Sequence, residues 1–394
     1  MRKSGEEPPI ATLRALAIPP GPSALSLLAV LEGVLDGRDA PVVPIPSGDL
    51  RESELLTRSL RVGAEIDDDI ALVIPTSGTT GTPKGAMLTA AALIAGASAS
   101  HDRLGGPGTW LLALPAHHIA GMQVLVRSSL AGTVPVEIDV SAGFDPGALP
   151  AAVGQMGSGR RYASLVATQL AKALEDPGAT LALAELDAVL LGGGPAPAPV
   201  LAGAADAGIA VVRTYGSSET AGGCVYDGVP LDGVELRIGP DGRISIGGAT
   251  LAKGYRNPCV PDPFAEPGWF LTDDVGVLDD SGCLSVLGRV DDAISTGGLT
   301  VVPAVVEAAL CLHPGVSECA VFGVADDRLG QRVVAAIVPA AGPAPSLQDL
   351  QDFVAGSLDR TAAPREVHVV AELPRRGIGK LDRRALRERF GSAG

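Results

Sequence analysis

Between Pro75 and Met87 stand four threonines, one serine, three glycines and a single lysine, with no aromatic residue among them. Such a segment offers backbone N–H groups, hydroxyls and one ammonium, a combination suited to phosphate oxygens. It follows "DDDIALVIP", where residues 70–74 predict a short buried strand, and it runs into "AAALIAGASA", which predicts a helix. An ordinary P-loop is excluded. Counted from Gly78, Pro83 takes the second glycine position of G-x-x-x-x-G-K-[ST], and Gly85 stands where the metal-binding hydroxyl belongs. What remains is a different phosphate cradle or a polar surface loop.

Lysine is scarce elsewhere too. Of 30 basic residues only Lys3, Lys84, Lys172, Lys253 and Lys380 are lysine, and two of these, Lys84 and Lys380, sit in glycine-rich segments. A compact ammonium reaches one phosphate or carboxylate oxygen as a point charge, which a planar guanidinium does not. Arg127 is unusual in another way, because it interrupts the apolar run "HHIAGMQVLVRSSLAG". Arginine is rarely buried unpaired. It either meets a structural acid, snorkels to the surface, or faces a bound acid.

These residues need a frame, and 394 residues predict two domains. A net charge of −15 without a basic block argues against nucleic acid, and no run of 18 apolar residues predicts a membrane span. The N-terminal "MRKSGEEPPI" lacks an apolar core of a leader, so a cytoplasmic location is expected. Five cysteines without C-x-x-C or zinc-like histidine spacing read as reduced thiols. Up to about residue 230 helices and strands alternate. "SALSLLAVLEGVLDG", "YASLVATQLAKALED" and "PVLAGAADAG" predict helices; "TWLLAL", "LDAVLLGGG" and "IAVVRTYGSSE" predict strands ending in loops. From 233 the pattern turns to hairpins in "GVELRIGPDGRISIGG" and "FLTDDVGVLDDSGCLSVLGR". After "GRVDDAI" a tail of roughly 100 residues predicts a separate α+β unit.

Six ordered segments then resemble the motifs of the adenylate-forming superfamily, which holds acyl- and aryl-CoA synthetases, luciferases and peptide-synthetase adenylation domains. "TSGTTGTPKG" resembles its phosphate loop and "LPAHHIAG" (114–121) its L-P-x-x-H-x-x-G. "YGSSET" (215–220) and "WFLTDD" (269–274) resemble Y-G-x-T-E and W-x-x-T-G-D. "GRVDDAISTGGLTVVPAVVE" (288–307) and "RRGIGKLDR" (375–383) resemble the two C-terminal motifs. The resemblance implies an α/β fold with helix-flanked sheets and a hairpin-rich subdomain in a large N-terminal domain, residues 1–290. A small mobile α+β C-terminal domain, 291–394, follows a hinge at Asp291. It also implies an enzyme that joins a carboxylate to the α-phosphate of ATP, releases pyrophosphate, and passes the acyl group to a thiol.

The same resemblance assigns roles residue by residue. Ser77, Thr79, Thr80, Gly81 and Lys84 hold pyrophosphate; Glu219 binds Mg²⁺ and Ser218 reaches the α-phosphate. Tyr215, Gly193, Gly194 and Gly216 take adenine, and Asp274 with Arg289 takes the ribose. Lys380 bridges carboxylate and phosphate during adenylation, and Gly297 and Gly298 of the "STGG" loop meet coenzyme A after the small domain turns. His118, Arg127, Gly216 and Ser217 line the acid pocket, with His118 gating it or contacting the acyl group. The nearest resemblance is to the o-succinylbenzoyl-CoA synthetases of menaquinone biosynthesis, especially the short actinobacterial form; they place an arginine nine residues after the motif histidine, the spacing of His118 to Arg127. Three positions depart from the superfamily pattern: Asp273 stands for glycine, Arg376 for threonine, and Pro75 for the usual aromatic. A standalone enzyme that loads another aryl or amino acid onto a carrier protein shares every ATP motif and stays an alternative. Oligomeric state stays open as well, with a homodimer as one expectation.

Overall fold

The computed structural model describes residues 10–76, 82–340, 342–376 and 380–391. Its largest sheet has seven strands. Val136–Glu137, Thr109–Leu112, Arg161–Val166, Ala188–Gly192 and Val211–Ser217 run parallel, and Gly222–Tyr226 and Val229–Pro230 extend the sheet antiparallel. The parallel strands are apolar on both faces because successive side chains enter different cores. Trp110, Leu112 and Leu190 join one buried cluster, while Leu111, Val189 and Leu191 join another. The first cluster reaches Leu72, Ile74 and Leu88 of a second sheet. That sheet is formed by Arg14–Ile18, Val42–Pro46, Ile70–Ile74 and the antiparallel Ala86–Thr89. Helices Ala90–Leu104 and Ile119–Ala131 contribute Leu93, Ala97, Met122 and Leu125 to the same core.

Beyond them, Val234–Ile238, Arg243–Gly248, Trp269–Leu278 and Leu284–Arg289 form an antiparallel sheet, as the D-G and S-G turns predict. The C-terminal unit has a sheet of Leu299–Val301, Ile294–Thr296, Gly330–Pro339, Val316–Asp326 and Glu366–Val369. It packs with helices Pro303–Leu310, Leu347–Ala355 and Arg383–Phe390 around cores of its own. A large N-terminal and a small C-terminal part, each mixing helix and sheet, are therefore present. Among the described residues no helix is long and apolar enough to cross a membrane.

Two expectations need correction. "YASLVATQLAKALED" is not one helix. Arg161–Val166 is a central strand paired with Ala188–Gly192, and the helix begins only at Ala167. Burial on both sides erased the alternation by which a strand is recognised. Likewise, the threonine-rich segment does not lead directly into a helix. Ala86–Thr89 first pairs with Ile70–Ile74, and Thr89 then caps the helix at Ala90 by accepting from Ala92 N at 3.1 Å.

The crossing of Val211–Ser217 with Gly222–Tyr226 is tight enough to exclude a side chain at Gly216. A Cβ there would run into the Gly222 carbonyl oxygen and sit 2.8 Å from Gly223 Cα, both backbone atoms that cannot swing aside. We expect Gly216→Ala to cost about 1–3 kcal/mol, seen as a lowered melting temperature. An unchanged melt would contradict the tight crossing.

Candidate active site

Strand Val211–Ser217 ends in a short 3-10 turn, Ser218–Thr220. The Thr220 hydroxyl closes it, accepting from Ser217 N at 2.9 Å and donating to the Gly222 carbonyl at 2.8 Å. The turn carries Glu219 inward, where it is 8% exposed. A buried carboxylate needs a donor, and the Tyr255 hydroxyl supplies one to Glu219 Oε1 at 2.7 Å. Burial and the neighbouring Glu219 charge push the Tyr255 phenol up, so it stays a donor. Lys84 Nζ lies over the same ring, 4.8 Å from its centroid. Lys84 and Glu219, over 130 residues apart in sequence, thus meet through Tyr255. Ser77, Thr79, Thr80 and Gly81 lie outside the described residues.

Tyr255 was missed from the sequence, since "KGYRNP" carries no periodicity. Its segment is laced to the lysine loop by backbone bonds: Lys253 N to Met87 O, Arg256 N to Gly85 O and Asn257 N to Lys84 O, at 2.8–2.9 Å. Asn257 Nδ2 also donates to Pro83 O at 2.8 Å. That lacing fixes where Lys84 stands.

Tyr215 and Asp274 meet, with the phenol donating to Asp274 Oδ2 at 2.8 Å. Burial raises the Asp274 pKa despite that bond and the Arg289 charge. Gly216 is exposed; Ser217 and Ser218 are half-buried. Gly193, with φ of 84°, and Gly194 follow the neighbouring strand Ala188–Gly192. Arg289 Nη1 stands 3.7 Å from Asp274 Oδ1, but its closest hold is on Asp291, through Nε at 2.8 Å and Nη2 at 3.0 Å. Asp273, glycine in the superfamily pattern, is not idle. It accepts from Arg243 Nη2 at 3.0 Å and from Arg289 Nη2 at 3.4 Å, so Asp273, Asp274, Arg289 and Asp291 share one ionic network.

The helix Ile119–Ala131 starts at His118, its N-cap residue, whose ring centroid is 4.2 Å from that of His117. Gln123 and Arg127, one turn apart, share a face. Gln123 Nε2 donates to the Ala221 carbonyl, two residues past Glu219, at 2.7 Å. Arg127 is 4% exposed. Its Nη2 donates to the Tyr226 hydroxyl at 3.3 Å and its guanidinium lies over the Trp110 ring at 4.7 Å. Among the described residues no carboxylate lies within ion-pair distance of it, and its Nε has no partner. Gln123 Oε1, Ser128 Oγ and Thr250 Oγ1 are likewise buried and unpartnered. Buried polar atoms are ordinarily satisfied, so these four atoms leave hydrogen-bonding capacity that a polar ligand could take up. Gln123 and Thr250 were not foreseen, having read as ordinary helix and loop residues.

The C-terminal motifs are spread more widely. Gly297 and Gly298 form the two-residue turn between Ile294–Thr296 and Leu299–Val301, both with positive φ, as such a hairpin requires. Lys380 begins the short strand Lys380–Leu381, paired with Arg375–Arg376. Three residues on, Arg383 holds Glu307 through Nη2 at 2.7 Å and Asp292 through Nη1 at 2.9 Å.

A titration reads out the Arg127 surroundings. His101 accepts from Trp110 Nε1 at 3.4 Å, and burial, with the Arg127 charge beside it, lowers its pKa to about 4. Below the ordinary value of 6.5 the unfolded chain takes a proton that the folded chain refuses. Stability should therefore fall as pH drops from 6.5 to about 4, and His101→Gln should remove that part of the fall in thermal unfolding. An identical fall in the variant would contradict a neutral His101 beside Arg127.

Residues 35–256 match the AMP-binding enzyme family and residues 305–380 match the AMP-binding enzyme C-terminal domain. A Mycobacterium tuberculosis protein named "Probable 2-succinylbenzoate--CoA ligase" is 68% identical over 96% of this chain and 98% of its own. A Geobacillus kaustophilus 2-succinylbenzoate–CoA ligase is 35% identical over 91% of this chain and 76% of its own. The structure of o-succinylbenzoate CoA synthetase from Bacillus subtilis, in complex with the acyl-adenylate OSB-AMP, superposes with a TM-score of 0.75. It shares 27% identity and covers 97% of this chain and 88% of that one. The chain belongs to the AMP-binding enzymes of the adenylate-forming superfamily.

Proposed function

We propose that this enzyme is an ATP-dependent acid–CoA ligase that converts o-succinylbenzoate, ATP and coenzyme A to o-succinylbenzoyl-CoA, AMP and pyrophosphate through an acyl-adenylate. One observation carries the choice of acid: Arg127 is a buried cation without a carboxylate partner among the described residues, on the helix whose Gln123 is tied to the Glu219 turn. o-Succinylbenzoate has two carboxylates. One is activated at the phosphate and the other meets Arg127, with His118 and the small residues Gly216 and Ser217 beside the ring. The relatives named above bear this activity in their names, and the Bacillus subtilis structure holds the corresponding adenylate.

The first half-reaction sets a carboxylate anion against a polyanion, so its barrier is electrostatic. In this reading Lys84 holds the departing pyrophosphate together with Ser77, Thr79, Thr80 and Gly81. Ser218 reaches the α-phosphate, Tyr215 and the Gly193–Gly194 turn receive adenine, and Asp274 accepts from the ribose hydroxyls beside Arg289. Mg²⁺, which offsets phosphate charge, suits Glu219, since that site takes one carboxylate plus substrate phosphates; Oε1 is oriented by Tyr255. Lys380 bridges carboxylate and phosphate as the new bond forms. The small domain, residues 291–394, then turns about Asp291, and Gly297 and Gly298 present the coenzyme A thiol to the adenylate. The ion pair of Arg289 with Asp291 is the contact that such a turn rearranges. Free thiols at all five cysteines suit a cytoplasmic enzyme.

Arg127→Ala should raise the KM for o-succinylbenzoate about 10- to 100-fold with the KM for ATP unchanged, measured by pyrophosphate exchange. Equal effects on both would overturn the pocket assignment. Lys380→Ala should slow adenylation about 10²- to 10³-fold while preformed acyl-adenylate still reacts with coenzyme A. Surviving exchange would overturn the role of Lys380.

A further inference from the structure

Two of the five cysteines stand side by side in the small domain. Cys311 closes the C-terminal end of helix Pro303–Leu310, Cys319 lies in strand Val316–Asp326, and their sulfurs are 3.5 Å apart. A disulfide is about 2.05 Å long, so side-chain rotation of modest size would join them. The two are not equivalent. Cys311 is half-buried and open to solvent, whereas Cys319 is 9% exposed. The hydrogen bond between them lowers the Cys311 thiol pKa and, with burial, raises that of Cys319. One sulfur is thus an accessible nucleophile and the other a protonated neighbour behind it. The Cys259 and Cys283 thiols donate to backbone oxygens, Pro261 O at 3.7 Å and Asp227 O at 3.6 Å.

We propose that Cys311 and Cys319 form a modification site that a hydroperoxide oxidises to an intramolecular disulfide. The Cys311 thiolate attacks a peroxide oxygen, the O–O bond breaks, and with hydrogen peroxide the other oxygen leaves as water once protonated. Cys311 is then a sulfenic acid. The Cys319 sulfur attacks the Cys311 sulfur, the S–S bond forms, and the sulfenic oxygen departs as a second water. The two thiols lose two electrons and the peroxide gains them.

The position gives the modification a consequence. Cys319 Sγ also lies 3.4 Å from the Glu307 carbonyl oxygen, so its one proton turns either to that oxygen or to Cys311. The Glu307 carboxylate accepts from Val321 N at 2.7 Å and from Arg383 Nη2 at 2.7 Å, and Arg383 stands three residues past Lys380. Oxidation removes the Cys319 donor and draws Cys311 toward the strand, disturbing the helix that holds Arg383. The effect on activity rests on the role proposed for Lys380.

The full chain treated with hydrogen peroxide, alkylated and digested with trypsin tests this directly, since no lysine or arginine lies between residues 290 and 327 and both cysteines leave in one peptide. The expected result is a peptide two hydrogens lighter with neither cysteine alkylated, free thiols falling from five to three, and reversal by dithiothreitol. In Cys319→Ser, Cys311 should stop at a sulfenic acid that dimedone traps. Pyrophosphate exchange should fall on oxidation, recover with dithiothreitol, and not respond to peroxide in Cys311→Ser. Two alkylatable cysteines after peroxide, or over-oxidised Cys311 without a link, would overturn the site. A disulfide that leaves exchange unchanged would overturn its coupling to the Lys380 strand, and the Lys380→Ala assay separates that result from a wrong role for the lysine.

Discussion

A carboxylate anion has to approach a triphosphate inside a chain of net charge −15. Everything about the candidate site answers that electrostatic constraint. Positive charge is used sparingly and each cation is held by its surroundings. Lys84 lies against the Tyr255 ring, in a loop laced to residues 253–257. Arg127 is stacked on Trp110 and touched by the Tyr226 hydroxyl, with no carboxylate among the described residues to neutralise it. In low-dielectric surroundings a cation left uncompensated is costly to the free protein and strongly attractive to an anion. The cost is borne by a core that joins three sheets and three helices.

The acids are arranged with the same economy. Glu219 is buried and oriented by one phenol, Asp274 by another. These two hydroxyl–carboxylate pairs connect distant segments: one joins the end of the seven-stranded sheet to residue 255, the other joins that sheet to the hairpin sheet. From Asp274 the network continues through Arg289 to Asp291, and Asp273 with Arg243 steadies it from the hairpin side. Each of these pairs is partly exposed, where single ion pairs contribute little; their arrangement around one guanidinium is what gives them a role. Asp273 thus replaces a glycine with a second hold on Arg289.

Much of this was legible in the sequence, for particular reasons. Tyr215, Glu219, Asp274, Arg289 and Lys84 sit in short segments that resemble superfamily motifs, so the sequence alone singled them out. Helix Ala24–Leu35 and the hairpins followed from periodicity and turn residues. The strands Arg161–Val166 and Ala86–Thr89 did not, because two-sided burial and pairing to a distant strand leave no alternation to read. Tyr255, Gln123 and Thr250 were invisible for a related reason. Their meaning lies in what the fold brings beside them, Glu219, Ala221 and Gly96. Arg127 was conspicuous as a charge in an apolar run, yet only its surroundings, free of any carboxylate partner among the described residues, distinguish a pocket cation from a structural ion pair.

The measurement that tests the central claim most directly is ATP–pyrophosphate exchange with Mg²⁺ across o-succinylbenzoate, benzoate, salicylate, a medium-chain fatty acid and several amino acids, followed by addition of coenzyme A. The account predicts exchange with o-succinylbenzoate alone and thioester formation when coenzyme A is added. Exchange driven by an amino acid or by benzoate, with no response to o-succinylbenzoate, would contradict it and move the enzyme to the class that loads carrier proteins.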